Sequence, residues 1–545
     1  MLYSIGNSIH VISEKQVLFM STYAIIYQIF AAAVLYYLCP IRFRWLVLLA
    51  FSYAVFASGG RQALLFMLIT TLSTWLCALA IGRIGDRNKA LLQQNKALAR
   101  DEKKRLKTAA RKRQRLLFYF ALLLNFGMLA VLKYIPSAPS AALSGLYGLM
   151  SKSGAPSIRL FVPLGISFYT FQSMGYLIDV YNGKYPPECN VLRFALFISF
   201  FPQLIQGPIG RYDALAPQLT AGNRLDLANI RSGLILMLWG FFKKKVIADH
   251  AFPLVDAVFA DHTAYGGAVI VVAVLMYSLQ QYADFSGGID LVTGGAELMG
   301  IHLAPNFRRP YFSVSLADFW RRWHISLGAW MRDYVFYPFA LTRPMQRLAK
   351  SARRAFGADV ARALPAALGN ILVFLLVGVW HGATGNYVAW GLYNGLILAA
   401  SALLEPAYRR FGERHARLVK SRGFYVFRII RTFVIVNIGW YFDRCLHLTD
   451  AFAMLGKTLC SPMLSQLMDG TLLTLGVSLG DYAVLLGALI ILVTVSVMQE
   501  RGVSMRKWLM TLSLPRRWLL LYILLFYTMF FYVPDAMTGF IYAVF

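Results

Sequence analysis

Long apolar runs separated by short polar breaks make up most of this chain. The first three runs, residues 17–38, 44–57 and 63–81, are separated by Cys39-Pro40 and by Ser58-Gly59-Gly60. A helix of about 20 apolar residues spans the hydrocarbon core of a bilayer, and many of these runs approach that length. The later runs are residues 116–132, 160–180, 191–205, 230–242, 268–279, 364–380, 387–404, 424–441, 482–498 and 518–533.

This pattern predicts an all-α, polytopic integral membrane protein. We expect about eleven or more transmembrane or re-entrant helices, arranged around a central tunnel. The segment before the first run is nearly neutral and no small-residue cleavage pattern follows it, so that run is expected to be a retained anchor helix.

The composition excludes a water-soluble enzyme, because 58% of the residues are hydrophobic and only 14% are charged. Lys and Arg number 54 against 25 Asp and Glu, a formal net charge of +29. This excess lies in loops between apolar runs, where it sets the orientation in the membrane, so no nucleic-acid partner is expected. The alternative is a basic cytoplasmic face that also receives an anionic partner such as coenzyme A or an acidic carrier protein.

Two basic segments indicate the cytoplasmic side. Residues 83–115 are rich in strong helix formers and contain no proline, which predicts a cytoplasmic helix or helical hairpin. Residues 243–245 are three consecutive lysines, which predict a second cytoplasmic boundary. The five cysteines are widely spaced, so neither a disulfide framework nor a metal site is indicated.

Charged and aromatic residues are mixed in the region near 284–340. The ionisable ones are Asp318, Arg321, Arg322, His324, Arg332 and Asp333. A charged side chain facing lipid at membrane depth costs at least ~2.5 kcal/mol, so these groups must pair, line a watery cavity or lie at the interface.

The glycines and prolines of the same region predict broken or re-entrant helices, which are allowed where backbone lines a cavity. They are Gly287, Gly288, Gly294, Gly295, Pro305 and Pro310. The alternative is an amphipathic interfacial helix held by Trp320, Trp323 and Trp330.

His381 follows the apolar run 371–380, and an ionisable residue near membrane depth is a candidate functional residue. The alternative is a hydrogen-bonded core histidine. Burial away from negative charge favours the neutral imidazole, which is the form that takes a proton from a hydroxyl. His324 and Ser326 are two residues apart and would point away from each other on a helix, so they do not predict a serine hydrolase pair.

Seven motifs occur in order along the central part of the chain. They begin at Pro163 (PLGISFY), Phe201 (FPQLIQGP), Asp284 (DFSG), Asn306 (NF, with PY at Pro310), Asp318 (DFWRRWHISL), Trp330 (WMRDY) and Gly378 (GVWHG). Together they resemble the bacterial branch of the membrane-bound O-acyltransferases (MBOAT), in particular the alginate O-acetyltransferase type. The aromatic C-terminus, residues 540–545, is similar to that of the same branch.

The resemblance implies that His381 is the principal catalytic histidine and His324 the second one, both facing a tunnel through the membrane. His324 would orient the acceptor or stabilise the developing oxyanion. We expect the tunnel to be supported by Asp318, Trp320, Arg321, Arg322, Trp323, Trp380 and Asp333.

The expected organisation combines the apolar runs and the basic segment with this resemblance. Residues 1–82 would be N-terminal transmembrane helices, 83–115 a basic cytoplasmic loop, 116–404 the catalytic core and 405–545 C-terminal transmembrane helices. The resemblance also implies a multi-pass protein of the inner (cytoplasmic) membrane with no bound cofactor. Its donor would be acetyl-CoA or an acyl-carrier thioester, and an extracytoplasmic acetyltransferase partner protein would carry the group to the polysaccharide.

Three functions remain open at this point. The preferred one is O-acetylation of an exported polysaccharide, either an alginate-like exopolysaccharide or a cell-wall glycan. The second is D-alanyl transfer to teichoic acid. The third is a transporter that moves its substrate unmodified, which the lack of a visible internal repeat disfavours.

Overall fold

The computed structural model describes residues 21–58, 60–134 and 165–534. Over these residues all the regular elements are helices, which confirms the predicted all-α class. Three features of the sequence lie outside the described residues: the start of the first apolar run, the first two residues of the motif at Pro163, and the aromatic C-terminus.

The described residues divide into two compact units, of which the first contains residues up to 233 together with 295–303. Its helices are α1 (Thr22–Leu38), α2 (Arg44–Ser58), α3 (Arg61–Gln94), α4 (Arg100–Tyr134), α5 (Ile166–Tyr181), α6 (Val191–Ser199), α7 (Phe201–Gln206) and α8 (Tyr212–Thr220).

The second unit contains residues 234–294 and those from 304 onward. Helices α9 (Leu227–Phe242) and α11 (Gly267–Leu298) lie mostly in it, with α10 (Asp249–Ala260) between them. The short helices that follow are α12 (Leu316–Arg322), α13 (Ile325–Met331) and α14 (Tyr337–Ala340). The remaining helices are α15 (Arg343–His381), α16 (Gly385–Leu403), α17 (Glu405–Arg414), α18 (Ala416–Val419), α19 (Arg422–Arg444), α20 (Leu448–Cys460), α21 (Leu479–Glu500), α22 (Met505–Thr511) and α23 (Leu514–Phe530).

The described helices confirm a multi-pass membrane protein. Seven of them are long and apolar enough to cross a bilayer, namely α2 with the turn before it, α3, α4, α11, α15, α19 and α21. The pair α16 and α17, bent by 54°, adds an eighth if it forms one span. Other predicted spans form shorter apolar helices, such as α1 and the pair α6–α7, because polar residues and prolines interrupt them.

The basic segment 83–115 forms the tip of a helical hairpin. Helices α3 and α4 extend into it from their apolar parts and are joined at residues 95–99, as the helix-forming composition predicts. The Arg111 guanidinium lies 3.8 Å from the centre of the Tyr181 ring, which packs the hairpin against the end of α5. The cytoplasmic position of this hairpin stays a prediction.

The four glycines of segment 284–298 do not break a helix, contrary to expectation. Helix α11 runs without interruption through Gly287, Gly288, Gly294 and Gly295. Gly287 permits a close approach of two helices instead, because a Cβ on it would lie 2.8 Å from the Gly240 carbonyl oxygen in α9. The interruption predicted for this region begins after Leu298, where an irregular segment leads into the short helices α12 to α14.

The lysines of residues 243–245 are buried, so they are not the exposed basic residues expected at a membrane boundary, and the cytoplasmic position of this turn stays a prediction. They lie in a π-helical turn after α9, and each is only 2% exposed. The Lys244 ammonium lies 2.5 Å from an Asp284 oxygen and 3.1 Å from an Asp249 oxygen, and Lys245 lies 2.6 Å from the other Asp249 oxygen. These ion pairs join the turn to α10 and α11, because each buried charge needs an opposite charge beside it.

The Asp284→Ala substitution removes one of the two carboxylates beside the buried Lys244, and Lys245 shares the other, Asp249. We expect it to destabilise the protein by about 3–5 kcal/mol, since one partner of a buried pair is lost. The measurement is the thermal midpoint in a single detergent, together with the fraction of monodisperse protein. The control is Asp86→Ala, which removes an exposed partner 3.5 Å from Lys89. Equal losses of stability in the two variants would contradict the role given to the buried pair.

Candidate functional site

A cavity in the second unit brings together most of the predicted site residues. Its volume is about 760 Å³, within the range of roughly 300–1,000 Å³ typical of ligand sites. Its walls come from α12, α13, α15, α16 and α19 and from the segment that precedes α12. The predicted residues that line it are His324, His381, Asp318, Trp320, Arg321, Arg322 and Trp323.

Two predicted support residues, Trp380 and Asp333, lie behind this lining. The Trp380 ring is buried, with its centre 4.8 Å from the centre of the His381 ring and 6.5 Å from that of His324. Asp333 is partly exposed and pairs with Arg332, 2.9 Å away, which does line the cavity. Trp380 therefore packs against both histidines, whereas Asp333 contacts the cavity lining through Arg332.

His381 is the last residue of α15, and its ring is held by aromatic neighbours. The ring centre lies 5.2 Å from that of Trp390 and 5.9 Å from that of Tyr387, with which it stacks. The apolar face of α15 packs closely on α16, because a Cβ on Gly391 would lie 2.5 Å from the Phe374 carbonyl oxygen. The close packing of these two helices, with aromatic rings around the imidazole, restricts the ring to one orientation at the cavity wall.

His324 lies in a strained turn between α12 and α13. Its φ of 46° is in the left-handed region, which residues other than glycine adopt rarely and often at functional sites. Arg309, which also lines the cavity, has a φ of 45°. Two backbone hydrogen bonds join the segment before α12 to this turn, from Arg308 N to Arg322 O at 2.9 Å and from Ile325 N to Asn306 O at 3.0 Å.

The Asn306 side chain determines which nitrogen of His324 carries the proton. Its Oδ1 accepts from the Ser326 backbone N at 3.0 Å and from the Ser326 hydroxyl at 2.9 Å, so the oxygen and not the amide nitrogen faces this turn. The same oxygen lies 3.2 Å from His324 Nδ1, which must therefore donate. In the neutral ring the lone pair is then on Nε2.

Burial lowers the pKa of the His324 imidazole to about 3, because the charged form loses its hydration. The ring is thus neutral at physiological pH and only weakly basic. It is suited to accepting a hydrogen bond, and less suited to removing a proton in a rate-limiting step. Within the described ranges, no three His, Cys, Asp or Glu side chains are grouped as metal ligands.

A chain of ion pairs supports the cavity wall at α12. Ser315 caps the N-terminus of α12, and its hydroxyl accepts a hydrogen bond from the Asp318 backbone N at 3.1 Å. Asp318 also pairs with Arg322 at 3.1 Å, as the sequence predicted for this wall. Arg322 then contacts Glu500 at 3.0 Å, and Glu500 contacts Arg309 at 2.6 Å.

The third predicted member of this wall, Arg321, is largely exposed. Its guanidinium lies 3.4 Å from an Asp318 oxygen, but 70% of its side-chain surface is exposed. An exposed pair of this kind contributes at most about 1 kcal/mol, so the wall depends mainly on Arg322.

Several residues of the site were not predicted from the sequence. Glu500 and Asp443 each follow an apolar run, and an ionisable residue in that position is a signal that could have found them. Asp443 lines the cavity and accepts from the Tyr277 hydroxyl at 2.7 Å. Asn394 accepts from the Trp320 indole N–H at 3.2 Å and so fixes that ring, but nothing in the local sequence distinguishes Asn394.

Comparison with known proteins identifies related chains. A model of the MBOAT, membrane-bound O-acyltransferase family, matches residues 186–356. The chain is 31% identical over 424 residues to the probable alginate O-acetylase of Azotobacter vinelandii, an alignment that covers 77% of this chain and 73% of that protein.

Two further relatives carry different names. The peptidoglycan O-acetyltransferase of Helicobacter pylori is 32% identical over 368 residues, covering 63% of this chain and 64% of its own length. The teichoic acid D-alanyltransferase of Bacillus subtilis is 28% identical over 290 residues, covering 52% of this chain and 69% of its own length.

The Glu500→Ala substitution tests the ion-pair chain at the cavity wall. It leaves Arg309 and Arg322 without their shared carboxylate, and the three side chains are each about one-fifth exposed. We expect a loss of stability between the ~1 kcal/mol of exposed pairs and the ~3–5 kcal/mol of buried ones. The measurement is the midpoint of thermal unfolding followed by tryptophan fluorescence.

The matched control is Asp359→Ala, because Asp359 and Arg362 form an exposed pair at 3.9 Å in the N-terminal half of α15. It should leave the midpoint unchanged. If the thermal midpoint of Glu500→Ala equals that of the control, the ion pairs of Glu500 do not stabilise the cavity wall.

Proposed function

Because the chain belongs to the membrane-bound O-acyltransferase family, we propose that it moves an acetyl group from a cytoplasmic thioester for O-acetylation of an exported polysaccharide. The support is the similarity to the alginate O-acetylase and the peptidoglycan O-acetyltransferase, over 77% and 63% of this chain respectively. The observation that carries the proposal is structural: His381 and His324 line the same cavity, with Trp380 packed against both.

In the proposed reaction an acceptor hydroxyl attacks the thioester carbonyl carbon. His381 takes the hydroxyl proton as general base while the new C–O bond forms, and the C–S bond breaks when the tetrahedral intermediate collapses. The departing thiolate takes up the proton from the His381 imidazolium. His324 is a poor candidate for this base, because burial leaves it only weakly basic.

His324 has a different role in this proposal. The Asn306 contact leaves the lone pair on Nε2. The single hydrogen of the attacking hydroxyl goes to His381, so Nε2 accepts a hydrogen bond from a second O–H or N–H group of the acceptor. That contact would hold the acceptor so that its attacking oxygen faces the carbonyl carbon. Of the two roles that the sequence left open, orientation of the acceptor is favoured, since Nε2 has no hydrogen with which to stabilise an oxyanion.

The charges of the cavity favour an anionic donor. Its lining includes five arginines against the carboxylates of Asp318 and Asp443; the arginines are Arg308, Arg309, Arg321, Arg322 and Arg332. Coenzyme A and the phosphopantetheine arm of a carrier protein both carry phosphate, which arginine binds well. Acetyl-CoA or an acyl-carrier thioester is therefore the proposed donor.

The proposal places the protein in the inner (cytoplasmic) membrane. An extracytoplasmic acetyltransferase would receive the group and pass it to the polysaccharide. The second candidate, D-alanyl transfer to teichoic acid, is favoured by the similarity to the Bacillus subtilis enzyme, but that similarity covers only 52% of this chain.

The first test is acetyl transfer from labelled acetyl-CoA by the purified protein in liposomes. His381→Ala should lower the rate by about 10²- to 10⁴-fold, the usual contribution of a general base. His302→Ala is the control, because His302 is an exposed histidine outside the cavity. Full activity of a folded His381→Ala protein would refute the assignment, and D-alanyl transfer in place of acetyl transfer would favour the second candidate.

The second test concerns Asn306 as a positioning residue. Asn306→Asp keeps an acceptor for His324 Nδ1 but adds a negative charge, which raises the pKa of His324 from about 3. His324 in the variant therefore becomes protonated as the pH falls, at a pH where the wild-type ring is still neutral. We expect the variant to lose transfer at mildly acidic pH where the wild type retains it.

The measurement is the pH–rate profile of both proteins. Asn394→Asp is the matched control, because it makes the same chemical change at a buried asparagine that contacts Trp320 instead of a histidine. If the Asn306→Asp and Asn394→Asp profiles shift equally, Asn306 does not act through His324.

A further inference from the structure

A second cavity lies beside the catalytic one, in the same unit. Its volume is about 590 Å³, and its apolar wall comes from α9, α21 and α23. Leu236, Ile491, Val495 and Leu521 are among the residues of this wall. None of the proposed catalytic steps uses this space.

The second cavity opens on an apolar part of the protein surface. Leu520 and Ile523 of α23 line it and are nevertheless 40% and 51% exposed. Their neighbour Leu519 is 60% exposed. In a multi-pass protein, exposed leucine and isoleucine on a mainly apolar helix such as α23, which is hydrogen-bonded to the spanning helix α21 through the Tyr527 hydroxyl and the Val484 carbonyl, face the hydrocarbon of the bilayer. The opening therefore gives access to lipid chains.

The second cavity is cationic beside the C-terminus of α21, because Arg309 pairs with Glu500, the last residue of α21, and Arg506 follows shortly after it in the chain. Its lining includes four cations, Lys243, Arg308, Arg309 and Arg506, and one carboxylate, Asp290. Lys243 pairs with Asp290 at 2.7 Å and Arg309 pairs with Glu500 at 2.6 Å, so the excess positive charge of this lining comes from Arg308 and Arg506.

The position of this cationic end is indicated by the short helix α22. Two of its residues, Arg506 and Trp508, line the cavity, and α22 comes directly before the mainly apolar helix α23. Tryptophan and arginine beside the end of an apolar helix are typical of the headgroup level of a membrane. The cavity thus runs from headgroup level into the hydrocarbon region.

We propose that this cavity binds an anionic phospholipid. The phosphate would lie beside Arg308, Arg309 and Arg506, and an acyl chain would lie along the wall of α9, α21 and α23. A water-soluble anion such as coenzyme A matches the cationic end but not the apolar wall with its opening to lipid. This inference goes beyond the proposed acyl transfer and does not depend on it.

The site shares residues with the catalytic cavity. Arg308 and Arg309 line both, and Arg309 is the first member of the ion-pair chain through Glu500 to Arg322. A bound headgroup would therefore contact the arginines that also form the wall of the catalytic cavity.

The test is native mass spectrometry of the delipidated full-length protein, titrated with phosphatidylglycerol or with phosphatidylcholine. We expect one phosphatidylglycerol to bind with higher affinity than phosphatidylcholine. Arg506→Ala should weaken the binding of phosphatidylglycerol about fivefold, as expected for one basic residue near an anionic headgroup. Lys507→Ala is the matched control, because this neighbour has the same charge, is exposed and does not line the cavity.

A second pair of variants tests the apolar end. Leu521→Trp places a larger side chain in the apolar part of the cavity and should abolish the binding of phosphatidylglycerol. Leu519→Trp, on the same helix but outside the lining, should leave binding unchanged. Thermal midpoints of the four variants show whether each protein is folded. The inactive His381→Ala protein should bind the lipid as the wild type does, so a failure of the acyl-transfer proposal is distinguishable from a failure of this one.

Three results would overturn the proposal. The first is equal binding of the two lipids, and the second is equal weakening by Arg506→Ala and Lys507→Ala. The third is stoichiometric displacement of phosphatidylglycerol by acetyl-CoA, which would assign the cavity to the donor.

Discussion

Burying charge inside a membrane protein is the constraint on which this structure depends. An ion taken out of water loses several kcal/mol of hydration, on the order of what a whole domain gains by folding, so it must meet an opposite charge. Lys244 meets Asp284 and Asp249 where α9, α10 and α11 converge. Because the three elements approach closely at this point, the ion pairs determine how α9 and α11 lie against each other.

The same constraint shapes the irregular segment that carries the site. Backbone that is not helical is tolerated at membrane depth only where its polar groups find partners or line a cavity. Residue Asn306 supplies such partners through both its carbonyl and its side chain, which together hold the turn at His324. The left-handed backbone of His324 is thus maintained by neighbouring hydrogen bonds, and the imidazole is oriented before any substrate arrives.

Aromatic packing completes this arrangement on the opposite wall. The rings of Trp380, Trp390 and Tyr387 surround His381 at the end of α15. A fixed imidazole and a neutral second histidine line one cavity. The proposed acyl transfer uses the first as a base and the second as a group that orients the acceptor. The two histidines differ in environment: hydrogen bonding to Asn306 orients His324, whereas ring packing orients His381.

The sequence by itself determined the class of protein, most of its helices and the choice of two histidines that the structure places on one cavity. Hydropathy and helix propensity are local properties, so apolar runs and the basic hairpin at 83–115 could be predicted without knowledge of distant contacts. The prediction was wrong where a local pattern had two physical outcomes. Glycines such as Gly287 permit either a break or a close helix contact, and consecutive lysines are compatible with either a membrane boundary or a buried network.

Only the tertiary structure decided between those outcomes, because the deciding partners are far apart in the sequence. Asp284 neutralises Lys244, Glu500 from the C-terminal helices joins Arg309 to Arg322, and Asn306 sets the tautomer of His324. These contacts depend on distances and directions between helices, which local sequence patterns do not encode.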